Sequence, residues 1–228
     1  MRFQGNGTTL LGYQARPRSA TGALPLILVC HENRGVTEHI KDVARRFAKE
    51  GYLAFALDLL SRQGGTANVP QDQMNRLIFG DDQLTVRHAN DFKAAIDYYK
   101  TQPQLADTGK VGMTGFCGGG SVVWRTVELV PDVKGAAPFY GGAPPLEEVK
   151  NIKAAVLGVY SSDPNDFANR GRDELDQALT AAGVTHEFKV YPNTGHAFHN
   201  DTGSTYNQEQ AIAAWRDMIA WFQRYVKA

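Results

Sequence analysis

Short, uninterrupted apolar runs alternate with helical patterns along this chain, and that alternation restricts its fold more than any other feature. "LPLILVC" (Leu24 to Cys30), "YLAFALDL", "KVGMTGF", "VKGAAPFY", "AAVLGVYSS" and "THEFKVYP" are rich in β-branched and aromatic residues, as strands covered on both faces should be. "EHIKDVARRFAKEG" places Ile40, Val43, Ala44, Phe47 and Ala48 on one helical stripe, with Gly51 as a stop. Further helices are expected at Asp82 to Lys100, Ser121 to Leu129, near Leu146, at Asn169 to Ala182 and at Gln208 to Val226. The last of these carries Ile212, Trp215, Ile219 and Phe222 at helical spacing. Thr8 to Ala15 reads as edge strands, and residues 61 to 80 as a long functional loop, because turn residues dominate there and no period is visible. The expected fold class is therefore α/β: one doubly wound, mostly parallel sheet with helices on both faces. At 228 residues and 43% hydrophobic content, residues 1 to 228 suit one domain with one core. In such sheets function gathers at the carboxyl ends of the strands.

Charge narrows the partners. Lys+Arg and Asp+Glu are both 24, so no net field draws the chain to nucleic acid or to an anionic membrane. No apolar run approaches the roughly 18 residues of a membrane span. The start "MRFQGNGTTLLGYQ" has neither a basic nor an apolar leader region, and two cysteines make no disulfide framework. The expectation is a soluble cytoplasmic protein, a monomer or small homo-oligomer, that acts on a small molecule without a cofactor.

"VGMTGFCGGGSVV" (residues 111 to 123) carries the chemistry. A nucleophile raised on a sharp strand-to-helix turn needs small neighbours, and Gly115, Cys117 and Gly119 match the G-x-S-x-G elbow with cysteine in place of serine. The Gly118 amide, opening the next helix, can donate to an oxyanion. A dinucleotide fingerprint finds no register because Val123 stands where its third glycine belongs, and a Walker lysine is missing. The base that a thiol requires is available in "YPNTGHAFHND": His196 follows the last apolar strand, while His199 reads as structural. Two carboxylates after "AAVLGVYSS" compete to orient it, Asp163 and Asp166. In "CHENRGV", Glu32 at a strand end is a candidate proton acceptor or substrate contact, and the Asn33 amide a second oxyanion donor. Metal is not expected, since H-E-x-x-H fails at Gly35, and Cys30 reads as core.

With these residues in place the chain resembles the dienelactone hydrolase family of α/β-hydrolases over nearly its whole length, through "LVCHENRGV", "LDLLSRQGGT", "KVGMTGFCGGG", "PFYGG" and "GHAFHND". The resemblance implies a hydrolase of small esters or lactones with Cys117 as nucleophile, His196 as base, Asp166 in preference to Asp163 as acid, and Glu32 assisting thiolate formation. It also aligns Arg62 with an arginine that grips the substrate carboxylate. The family's second such arginine is Asn200 here, and its pocket tyrosine and serine are Phe139 and Ala197. Carboxylate recognition is thereby weakened, and a neutral lactone or activated ester fits at least as well as dienelactone. The alternatives are a non-catalytic ligand-binding relative and the same site acting chiefly on phosphoesters.

Overall fold

A computed structural model describes residues 1–228. Its eight strands are β1 (Arg2–Gly5), β2 (Thr8–Ala15), β3 (Leu24–Cys30), β4 (Leu53–Asp58), β5 (Ala106–Phe116), β6 (Val133–Phe139), β7 (Ala155–Ser161) and β8 (His186–Tyr191). They form one sheet in the order β1-β2-β4-β3-β5-β6-β7-β8. The β1–β2 and β2–β4 pairs are antiparallel, and every other pair, from β4–β3 through to β7–β8, is parallel. This is the α/β-hydrolase arrangement, with β3, β5 and β6 at its centre.

The apolar runs form strands because both sheet faces are covered. Leu26, Leu28, Phe55, Leu57, Val111 and Met113 point to one core, shared with helices α3 (Asp82–Lys100), α4 (Gly118–Leu129) and α5 (Arg172–Ala181). Ile27, Val29, Ala54, Ala56 and Phe116 point to the other, beneath α1 (Glu38–Lys49) and α6 (Gln208–Phe222). The predicted stripe of α1 is buried as expected, and Thr37 caps the helix.

Four local expectations are corrected. Residues 61 to 80 are not an open loop: two short 3-10 turns lead into α2 (Gln71–Phe79), whose Met74 and Ile78 reach the core. Two buried residues per nine are too sparse to show as a period. α4 begins at Gly118 rather than Ser121, since the glycine run lets its first turn lie against neighbouring strands. A Cβ on Gly120 would sit 2.6 Å from the Phe139 carbonyl. Phe167–Asn169 is a separate turn ahead of α5. In α6 the buried face is Ala211, Ala214, Met218, Ile219 and Phe222, whereas Ile212 is 60% exposed. No helix is long and apolar enough to cross a membrane.

Candidate active site

The carboxyl ends of β3, β5, β7 and β8 bring the sequence-predicted residues to one rim. Cys117 follows β5 in a left-handed conformation (φ 58°, ψ −128°), its amide donating to the Phe139 carbonyl at 3.1 Å. Such a backbone lifts the half-buried thiol out of the sheet plane at the first turn of α4, where helix amides point towards it.

His196 stands in the loop after β8. Its Nδ1 donates to Asp166 Oδ1 at 2.9 Å, while Asp166 Oδ2 accepts from the Ser161 hydroxyl at 2.6 Å and Oδ1 also accepts from the Ala168 amide. Burial raises the Asp166 carboxyl, but these donors outweigh it and hold it below its ordinary value. On the other side of the ring, Nε2 has no hydrogen-bond partner. Burial disfavours charge on the imidazole; the Asp166 hydrogen bond and the proximity of Cys117 overcome this and raise it to about 10. Asp163 does not reach the ring. Its carboxylate accepts from the Asn165 amide and closes the turn that carries Asp166. His199 is wholly buried among Phe116, Phe139 and Trp215, and burial lowers it to about 3, as suits a structural histidine.

Glu32, Asn33 and Ala197 line a cavity of about 250 Å³ together with Cys117 and His196. Glu32 Oε2 accepts from Asn200 Nδ2 at 3.0 Å, so the residue standing where the family has an arginine holds the carboxylate by a neutral amide, and Oε1 is left buried without a partner. His31 fixes this loop: its Nδ1 donates to the Glu32 carbonyl and its Nε2 accepts from the Leu59 amide at 3.1 Å.

Two expected substrate contacts are not brought to the cleft. Arg62 forks onto Asp91, at 2.5 and 2.9 Å, and reaches the Asn6 carbonyl at 3.2 Å. Asp91 is 1% exposed, and a buried carboxylate without a cation would be costly, so the guanidinium is held beneath the β1–β2 turn. Phe139 is fully buried against Phe116 and His199. Its neighbour Tyr140, in a left-handed conformation (φ 38°), is one of two aromatic residues whose rings lie 5.0 Å from that of His196, Phe167 being the other. The Tyr140 hydroxyl is raised by burial and by the nearby Glu32, Cys117 and Asp166. Tyr140 lies one residue past the end of β6 in "PFYGG" and is as buried as Phe139; its positive φ, not the strand pleat, turns it towards the triad. Arg34, exposed and free of ion pairs, also lines the cavity and was passed over in "HENRGV". A larger groove of about 960 Å³ runs past Tyr13, Arg16 and Arg45 and contains none of the predicted residues.

Comparison with known proteins identifies the family. The model of the dienelactone hydrolase family matches residues 10–226. The chain belongs to the dienelactone hydrolase family. A candidate carboxymethylenebutenolidase of Methylorubrum extorquens is 36% identical over 223 residues, covering 93% of this chain and 76% of the relative. One from Escherichia coli K12 is 32% identical over 234 residues, covering 96% and 84%. Among solved structures, a Klebsiella pneumoniae protein described as a candidate dienelactone hydrolase superposes with TM-score 0.87 at 31% identity, covering 97% of this chain and 95% of that one. A promiscuous phosphotriesterase from metagenomic libraries, described as dienelactone hydrolase-like, shares the fold at TM-score 0.85 and 23% identity, covering 98% and 96%. The dienelactone hydrolase family is a family of hydrolases, and this member carries the family's α/β-hydrolase fold.

Proposed function

We propose that this dienelactone hydrolase family member cleaves small carboxylic esters or lactones through a Cys117–His196–Asp166 triad and an acyl-thioenzyme. The observation that carries the reading is the placement of His196, with Nδ1 on a buried carboxylate and Nε2 left unpaired towards the thiol. Cys117 Sγ attacks the carbonyl carbon, and the Gly118 and Asn33 amides hold the oxyanion. His196, charged at neutral pH because of Asp166 and Cys117, protonates the departing alkoxide. The neutral ring then takes a proton from water, whose hydroxide attacks the thioester and releases the acid. Glu32, on the rim beside Cys117 with one oxygen free, supplies a second proton acceptor when substrate arrives. The enzyme has no need of metal in these steps, since the thiol is the nucleophile and amides balance the developing charge.

The test is hydrolysis of p-nitrophenyl acetate by wild type and Cys117→Ala, with intact-mass detection of a 1:1 acyl adduct on the wild type. Equal rates for the two proteins would remove Cys117 from the reaction and leave a ligand-binding relative as the better reading.

A further inference from the structure

Cys117 stands between two cavities of opposite character. On one side, the space of about 250 Å³ is bounded by Glu32, Arg34, Asn200 and the hydroxyls of the 202–205 turn. On the other, a cavity of about 430 Å³ is walled by Phe79 and Phe167. It opens, past Thr85 and Ser121, into a further space of about 490 Å³ floored by Ala143, Pro144 and Pro145.

Both phenyl rings touch the reaction machinery. Phe79 ends α2 and lies so close to Gly118 that a Cβ there would come within 2.7 Å of the ring. Phe167 directly follows Asp166, its ring 5.0 Å from that of His196, and it remains 41% exposed. A large apolar side chain held open to a cavity by a rigid turn marks a ligand contact. The charged residues lining that cavity are Asp81 and Asp82 at the start of α3, with no lysine or arginine beside them, and the His196 imidazole lies behind Phe167. Arg125, further out, is bound to Glu128 at 2.7 Å, and Arg34 lies across Cys117 on the other side.

We infer that the preferred substrate is an ester or lactone that carries an aromatic ring, its uncharged aromatic half seated between Phe79 and Phe167. A carboxylate attached to that half meets two aspartates and no lysine or arginine. This rests on the hydrolase reading of Cys117 and goes beyond it by naming the substrate's shape and charge.

The experiment compares kcat/KM for ethyl butanoate, monoethyl succinate, ethyl phenylacetate and benzyl acetate, followed by proton release so that no chromophoric leaving group intrudes. Ethyl phenylacetate or benzyl acetate should exceed ethyl butanoate by tenfold or more; whichever of the two gains tells on which side of the scissile bond the ring sits. Phe167→Ala and Phe79→Ala should each shrink that ratio severalfold or more. If ethyl phenylacetate is the one that gains, monoethyl succinate should lie below ethyl butanoate at low ionic strength, and the Asp81→Asn/Asp82→Asn pair should close the gap; if benzyl acetate gains, the same ordering should hold for 4-carboxybenzyl acetate against benzyl acetate. Equal rates for aromatic and alkyl esters in a Cys117-dependent reaction would overturn the inference and leave the hydrolase reading standing. Hydrolysis of none of the four, or at the same rate by Cys117→Ala, would overturn both.

Discussion

Asp166, and not Asp163, is hydrogen-bonded to His196, at 2.9 Å between Oδ1 and Nδ1. The two residues between the aspartates, Pro164 and Asn165, turn the chain so that the first faces its own loop and the second faces the imidazole. Asp166→Asn keeps the shape but lets the ring adopt the wrong tautomer, so kcat should fall by about a hundredfold or more. Asp163→Asn should stay within a few-fold of wild type. Steady-state kinetics on the two variants decide it, and the reverse ranking would reject the assignment.

The two cysteines should differ sharply towards alkylation. Cys30 is fully buried, and burial raises its thiol far above the ordinary range, whereas Cys117 is accessible beside a cationic imidazole. Brief iodoacetamide treatment followed by peptide mass mapping should find label only at Cys117. His196→Gln should slow that labelling by roughly tenfold at pH 7.

Arg62→Ala should cost stability and not selectivity. Removing the cation leaves Asp91 buried with only Asn6 Nδ2 as a side-chain donor, a loss of about 3 kcal/mol, the low end for a buried pair because the guanidinium is partly exposed. Chemical denaturation should show it, and kcat/KM for anionic and neutral esters should change in parallel. A loss confined to anionic esters would mean that Arg62 swings into the cleft.

Acid should weaken the fold through His199. Its folded value of about 3 lies below the ordinary 6.5, so between those limits the unfolded chain binds the extra proton and stability falls as pH drops. At pH 5 the loss amounts to roughly 2 kcal/mol relative to neutral pH. His88, lowered to about 4 by burial, acts in the same direction. Denaturation of His199→Phe at pH 7 and pH 5 should show a smaller drop than wild type, whatever its absolute stability.

How much of this was legible beforehand follows from the range of each interaction. The strands, the elbow and the histidine loop depend on neighbours within a few residues, and those patterns are written locally. α2 was missed because its core contact rests on two side chains whose partners lie in distant segments. Arg62 and Asp91 are brought together only by the closed sheet, so nothing near Arg62 in the chain could reveal that its charge was already satisfied. Phe139 and Tyr140 are both fully buried, and only the positive φ of Tyr140, just past the end of β6, turns the second towards His196, a backbone detail that apolar patterning does not carry. The aspartate choice turned on a hydrogen bond across 30 residues of sequence.

The positive φ at residue 117 belongs to a region of backbone space that suits glycine, and holding a side chain there costs of order 1 to 3 kcal/mol. Cys117→Gly should therefore yield an inert protein that melts at a higher temperature than the active one. For stability alone glycine is the better residue at position 117, so the sulfur is something the fold tolerates at a cost and does not itself require.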